Sequence, residues 1–130
     1  MSQLNLMPVI MESFSIKPTL VPTGLKITLL GSADMEARPN LSQFIPLAHA
    51  EAERLAVNEV LVDVHELYFI NSVCLKSLVV WIDLIANSTR SSRYRLTFLV
   101  DSHLHWQDRS ILALQRMAPD IVQVTNWKGE

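Results

Sequence analysis

Glycine is scarce in this 130-residue chain, which has three: Gly24, Gly31 and Gly129. A dinucleotide or phosphate-cradling loop needs several glycines close together, so that kind of nucleotide site is excluded. Cysteine is scarcer still. A single one, Cys74, rules out an internal disulfide and a cysteine zinc cage, and fits a reducing compartment. Neither sign of charge is in excess: 11 Lys and Arg face 13 Asp and Glu, a net charge of -2. Nucleic acid is bound through a basic face, so no nucleic-acid partner is expected. Aromatic residues make up 7%, too few for a platform on which single strands stack. The longest apolar run, 78–82, is far too short to span a bilayer. Residues 1–10 lack a basic stretch ahead of their apolar ones, so no secretory signal is expected and a cytoplasmic location is.

What is present is globular. Hydrophobic residues make up 49% and charged residues 18%, too apolar for disorder. The length suits one domain, which at this size buries roughly two-thirds of its unfolded surface. There is no repeat, low-complexity tract or linker. Residues 1–12, with Pro8, read as a flexible arm ahead of a domain over 13–127. Phe14 and Ile16 alternate with Ser15 and Lys17, the period of a half-buried strand, which Pro18 and Pro22 confine to an edge. Thr23 and Gly24 read as a turn, and 26–30 as a second strand closed by Gly31.

A helix is expected after Asp34, or after Pro39 and Asn40, with Leu41, Phe44, Ile45, Ala48, Ala52 and Leu55 on one face. Pro46 sits inside that pattern, so the helix either kinks there or begins near it. Residues 59–64 form the clearest strand, apolar on both faces as in the centre of a parallel sheet. A loop over 66–70 leads to a helix over 72–86, which Asn87, Ser88 and the polar run to Ser92 end. Residues 94–100 are another two-sided strand, 106–117 a helix stopped by Pro119, and 121–124 the last strand. The order β-β-α-β-α-β-α-β predicts a single α/β domain with a mixed, mostly parallel sheet and helices packed on it.

In open α/β sheets, function gathers where a strand end meets a helix start. Here that junction runs from Tyr68 through Phe69, Ile70, Asn71 and Ser72 to Leu78. Asn71 is an N-cap type, which sets Ser72 at the first helical position, in the positive end of the helix dipole. A phosphate there would meet free backbone amides. Two bland or sharp roles stay open at this point: a plain cap, or a modification site.

The helix that follows is apolar on two sides. Leu75, Leu78, Val79, Ile82, Ile85 and Ala86 make one stripe, which should lie on the sheet. Nearly opposite lie Val73, Ser77, Val80 and Leu84, with Trp81 at the edge and Lys76 in a narrow polar strip. Either a partner docks on this second stripe, a second copy included, or neighbouring helices cover it.

Other chemistry is thin. Asp101, His103, His105 and Asp108 lack a second cluster of ligand spacing, so no metal is expected. Asp63 and His65 alternate at a strand end, but no nucleophile elbow accompanies them. They are expected there because polar side chains reach water at a strand end. Asp34 either caps the following helix or shapes the surface near Ser72. Cys74 is a small buried residue or a thiol whose pKa the dipole lowers. Trp106 reads as a core anchor of the last helix and Trp127 as tail packing. Nothing here assembles a catalytic constellation or a cofactor site, so no enzyme is expected, with a small flavodoxin-like enzyme as the reading from another class.

The stretch 59–78 resembles the core of STAS domains, the sigma-factor and sulfate-transporter module. Those proteins run from an apolar strand through an xxFIDSSGLxxL junction into a helix. This chain carries Phe69-Ile70-Asn71-Ser72-Val73-Cys74-Leu75 in that register, and Leu30-Gly31-Ser32-Ala33-Asp34 looks like the family's L-S-G-x-x-D. It departs at three places, with Asn71 for the aspartate, Val73 for the second serine and Cys74 for the glycine. In the anti-sigma-factor antagonists of this family the serine after the aspartate is phosphorylated by an anti-sigma kinase of the histidine-kinase-like ATPase type. The unmodified form binds that kinase and frees the sigma factor; a serine phosphatase resets it. The resemblance implies a protein-interaction module with Ser72 as phosphorylation site and no cofactor. Its partner-facing set is Asp34, Asn71, Ser72, Val73, Lys76, Ser77, Val80 and Leu84. The alternative within the resemblance is an unphosphorylated scaffold or assembly subunit.

Overall fold

Leu25, Ile27 and Leu29 are apolar at alternate positions, and all three are buried. They belong to the strand around which the sheet is built. In the computed structural model, which describes residues 4–88 and 93–128, that strand is the third of seven. The chain runs β1 (Val9–Ile10), β2 (Phe14–Val21), β3 (Gly24–Ala33), α1 (Arg38–Arg54), β4 (Glu59–Asp63), β5 (Leu67–Ile70), α2 (Ser72–Ala86), β6 (Arg95–Val100), α3 (His105–Met117) and β7 (Val122–Asn126). It is a single α/β domain. The sheet order is β1-β2-β3-β4-β6-β7, with β5 paired to the end of β3. The first two pairings are antiparallel and the others parallel.

The parallel strands β3, β4, β6 and β7 lie side by side in the order in which they occur. Right-handed crossovers that never reverse direction bring every connecting helix to the same face. That explains a difference from the sequence reading, which takes β4 and β6 as apolar on both faces. Val60, Val62, Leu96, Phe98 and Val122 are buried under the helices. Leu61 and Leu99 share the other face with polar neighbours. There Lys26 pairs with Asp63 at 3.6 Å, and the Thr97 hydroxyl donates to Glu59 at 2.7 Å. Because the order never reverses, there is no switch-point crevice of the kind in which doubly wound sheets bind cofactors.

The short β1 and β5 lie where the sequence suggests an arm and a loop. Ahead of β2, Leu6 is buried, and Leu4, Val9 and Met11 pack against the core. β1 then pairs with the start of β2 at Ser15 and Ile16. Pro18 lies beyond β1, so its missing N–H faces an open edge. The segment is tied down at one more point. The Asn5 N–H donates to Glu51, whose carboxylate also accepts from Arg54 at 2.8 Å. Glu51 is itself buried on α1. The Arg54 guanidinium holds the Glu51 carboxyl below its usual range against the opposing effect of burial, with Asn5 adding to the lowering.

A lowered folded-state pKa gives stability that is present above the ordinary carboxylate value, about 4.3, and is lost as pH falls through the lowered one. Acid should therefore release the amino-terminal segment. Urea midpoints measured from pH 6 to pH 3 should fall less steeply for Glu51→Gln than for the wild type. Parallel curves would contradict this.

α1 begins at Arg38 with Pro39 in its first turn, and continues past Pro46 rather than starting there. Pro46 is exposed, so its ring meets no core neighbour, and the loss is the hydrogen bond to the carbonyl of Ser42. α2 keeps the expected limits, Ser72–Ala86. The polar run over 89–92 lies outside the described residues. Trp81, expected at a helix edge, is buried, and its indole N–H donates to the Tyr94 hydroxyl at 2.8 Å. That hydroxyl also lies 2.7 Å from His49 Nδ1 and so links α2 to α1.

Candidate partner-binding surface

β3 ends at Ala33, and its last carbonyl accepts the N–H of Asn71 at 2.9 Å. Asn71 thus leaves the sheet in an extended conformation with its side chain facing the first turn of α2. Its Oδ1 accepts from the Cys74 N–H at 2.8 Å, and its carbonyl accepts from the Leu75 N–H at 3.0 Å. The cap role read from the sequence is formed. Ser72 follows as the first helical residue. It is exposed, and its hydroxyl has no hydrogen bond among the described residues. Of the first-turn amides, those of Ser72 and Val73 remain for a ligand or for water.

Asp34 lies beside this turn but does not cap α1, whose N-cap is Ala37 without a side-chain bond. Its carboxylate accepts from the Glu36 N–H at 3.1 Å, and its carbonyl from the Ala37 N–H at 3.0 Å and the Cys74 thiol at 3.3 Å. Cys74 is buried. Burial raises its thiol pKa, Asp34 raises it further, and Arg38 works against both. Of the two sequence readings, the small buried residue holds and the dipole-activated thiol does not, because the group sits in the core and not in the open end of the helix. The Cys74 side chain therefore points inward and leaves the surface around Ser72 clear.

The remaining residues read as partner-facing divide. Lys76 is exposed one turn from Ser72, and Val80 is exposed one turn further. Val73 and Leu84 are half-buried, and Ser77 is buried, because α1 packs beside α2 along this stripe. The reading in which a neighbouring helix covers the second stripe holds for its middle, and Val80 stays open.

The structure adds three residues that the sequence reading passed over. Tyr68 and Phe69 on β5 are 58% and 49% exposed, and Met35, next to Asp34, is 57% exposed. All lie at the end of the sheet that carries Ser72. The signal was present as two adjacent aromatics just ahead of the cap, but a loop reading gave them no fixed direction. Met35, Tyr68, Phe69 and Ser72 thus expose apolar side chains and one hydroxyl around the start of α2, with Tyr68 and Phe69 on opposite faces of β5.

No protein-family model matches the sequence, and no curated protein matches it. Solved structures do. An anti-sigma factor antagonist from Mycobacterium paratuberculosis superposes with a TM-score of 0.63 at 16% identity, over 85% of this chain and 86% of that one. The anti-sigma factor antagonist SpoIIAA in its unphosphorylated form superposes with a TM-score of 0.53 at 14% identity, over 89% and 90%. The protein has the STAS fold. At this identity the likeness is one of fold.

The STAS-like domain has a second polar cluster, at the carboxyl ends of β4 and β6. Asp63 does not reach water, being 3% exposed. His65 Nδ1 and the His65 N–H meet its carboxylate, and the His65 ring stacks on Trp127 at 4.3 Å. No hydroxyl or thiol among the described residues hydrogen-bonds to His65, so the pair forms no triad. Asp101 and His103 pair nearby, and the His103 N–H chiefly lowers the Asp101 pKa against a raising effect of burial. His105 and Asp108 begin α3. Among the described residues no three His, Cys, Asp or Glu side chains come together as a metal site. Gln107 of α3 is fully buried and ties this end together. Its Nε2 donates to the Val64 and Leu67 carbonyls at 2.6 and 3.1 Å, and its Oε1 accepts from the Asp101 N–H at 2.7 Å. Trp106 is half-buried and donates to the same Leu67 carbonyl at 3.0 Å. No helix among the described residues is long and apolar enough to cross a membrane.

Proposed function

We propose that this protein is a partner-switching module of the anti-sigma-antagonist kind, with Ser72 as its phosphorylation site. The observation that carries the reading is the exposed, unpaired Ser72 hydroxyl at the start of α2, beside exposed Tyr68, Phe69 and Met35. The partner is a serine kinase and anti-sigma factor of the histidine-kinase-like ATPase type, and a serine phosphatase resets the switch. Such a module acts in the cytoplasm and is not an enzyme itself.

The physics of the switch is local. Unmodified, the patch around Ser72 is apolar and dehydrates readily against a partner. A phosphate adds close to two negative charges and three strong acceptors at its centre. The free amides of Ser72 and Val73, the helix dipole and Lys76 one turn on would hold that phosphate on the domain itself. A partner would then have to dehydrate it. The absence of the family's aspartate, with Asn71 in its place, removes one repelling charge from the same spot.

The test is to map phosphate on protein isolated from its own cells, and then to compare partner capture by Ser72→Ala and Ser72→Asp. Phosphate at Ser72 is expected. Ser72→Ala should retain the partner, and Ser72→Asp should lose it by roughly a hundredfold, the effect of a few kcal/mol at an interface. Equal binding by the two variants, with no phosphate under any growth condition, would sink the switch and leave an unmodified scaffold.

A further inference from the structure

The two edges of the sheet differ in how they meet an incoming strand. At the first edge the Met11 N–H donates to the Phe14 carbonyl at 2.9 Å. Val9 and Met11 therefore turn their backbone groups toward β2, and Pro8 and Ile10 turn theirs outward. Pro18 of β2 also faces outward, beyond the end of β1. A proline at an outward position withholds the N–H that an added strand would need, so this edge is closed at two points. At the second edge stands β7, which among the described residues pairs with β6 alone. It contains neither a proline nor a charge. The Leu96 N–H donates to the Ile121 carbonyl at 2.9 Å, and the Trp127 N–H to the Val100 carbonyl at 2.7 Å. The odd-numbered residues of β7 thus face β6, and Val122, Val124 and Asn126 face outward. The Val122 N–H is taken by the Ala118 carbonyl at 2.9 Å. The Val122 carbonyl and both backbone groups of Val124 and Asn126 are left open among the described residues.

Charge placement selects what completes this edge. Asp120 and Lys128 are both exposed, and each lies four residues from Val124, one before it and one after. Let a second copy pair antiparallel, with Val124 opposite Val124. Each Asp120 then meets Lys128 of the other copy, and each Gln123 meets Thr125. The two Val124 residues exchange both of their hydrogen bonds, and each Asn126 N–H reaches the open Val122 carbonyl across the axis. Asp120 already has Arg93 at 3.8 Å, but its side chain stays 76% exposed, so a second cation can reach it. A parallel pairing in register would instead set Asp120 against Asp120 and Lys128 against Lys128. The match of charge to charge is thus a property of this strand with itself, in one orientation.

We propose that β7 is a dimer edge, which pairs antiparallel with β7 of a second copy about a two-fold axis at Val124 and joins two sheets into one. β3, whose end carries β5 and the Ser72 junction, lies three strands away from β7, or about 14 Å. Both Ser72 surfaces therefore stay open in the dimer. On the partner-binding reading above, the dimer presents two of them at once, and a partner with two sites gains avidity without any new contact.

Sedimentation velocity on the full-length chain tests this. The edge is five residues long, a small interface, so the dissociation constant should be on the order of 50 µM and a series from about 5 to 500 µM spans it. The mass should rise across that series from one chain toward two. Val124→Pro removes an N–H that β6 does not use, and by symmetry the dimer loses two hydrogen bonds. Its association should weaken about tenfold or more. Asp120→Lys and Lys128→Asp should each weaken the dimer about tenfold, because each turns two attractions into two repulsions. The two substitutions combined in one chain should largely restore it, a rescue that damage to the fold would not give. A single-chain mass over the whole series, a dimer indifferent to Val124→Pro, or charge variants that do not rescue each other would overturn the proposal. None of these results depends on Ser72, so the dimer edge and the phosphate switch fail or stand separately.

Discussion

Gly31→Ala should lower the melting midpoint of this domain by roughly 10 to 20 °C, as expected for a loss of about 4 kcal/mol. Gly31 sits at φ +93°, a conformation that side-chain-bearing residues rarely adopt. A Cβ there would land on the backbone carbonyl of Ser13, which cannot swing aside as a flexible side chain could. The position matters because β3 changes partners here. As far as Thr28 it pairs with β4, and from Gly31 it pairs with β5 across a bulge. The Gly31 N–H donates to the Glu66 carbonyl at 3.0 Å, and the next N–H, of Ser32, donates to Ser13 at 2.8 Å. The residue is thus held between β2 and β5, with no room for a side chain against Ser13 and Phe14. Gly31→Asn should recover little, since asparagine tolerates positive φ but carries the same Cβ. Thermal and urea denaturation check this. A midpoint within a few degrees of wild type would show that the β2 edge yields easily. Because β5 leads directly into Asn71, the variant should also disorder the start of α2, visible as faster amide exchange at Cys74 and Leu75.

That dependence explains why parts of this fold were legible in the sequence and others were not. α2 was readable because its cap, its length and its apolar stripe are all local properties. β4 and β6 were readable as strands for the same reason, but their second face was not. Leu61 and Leu99 look like core residues in one dimension, and only the unreversed strand order reveals that no helix covers them. β5 was missed because its burial runs buried, exposed, exposed, buried, which matches neither an alternating nor a buried strand. It is a strand because of a bulge in β3, some forty residues earlier. The same long-range pairing gives Tyr68 and Phe69 their direction. The sequence therefore pointed to the proposed site through Ser72, but not to the exposed apolar residues around it. The burial of Ser77 is a further case, because it depends on where α1 lies.

Gln107→Leu is expected to cost about 2 to 3 kcal/mol, although it replaces a polar residue in the core with an apolar one of similar size. Apolar substitution of a buried polar group is harmless only when its partners go too. Here the partners are backbone. The Asp101 N–H would lose its bond, the Val64 carbonyl would keep only the Leu67 N–H, and the Leu67 carbonyl would keep only Trp106. Each buried orphan costs about 1 to 3 kcal/mol. Gln107→Glu separates this account from one of simple packing. It keeps the shape but sets a carboxylate oxygen against the two carbonyls, so the ionised form is repelled and its pKa rises. A raised folded-state pKa means that stability returns as pH falls, when the protonated acid can again donate to Val64. The Glu variant should therefore gain on wild type between pH 8 and pH 5, while the Leu variant should stay uniformly low. Urea midpoints over that range decide it, and a Glu variant with no such recovery would mean that water reaches the Gln107 site. The consequence extends to function, because the link from Val64 to Leu67 is what carries the chain from β4 into β5. The glutamine thus fixes from behind the strand that aims Tyr68, Phe69 and Ser72 outward. A loosened link should weaken partner capture even where Ser72 is untouched.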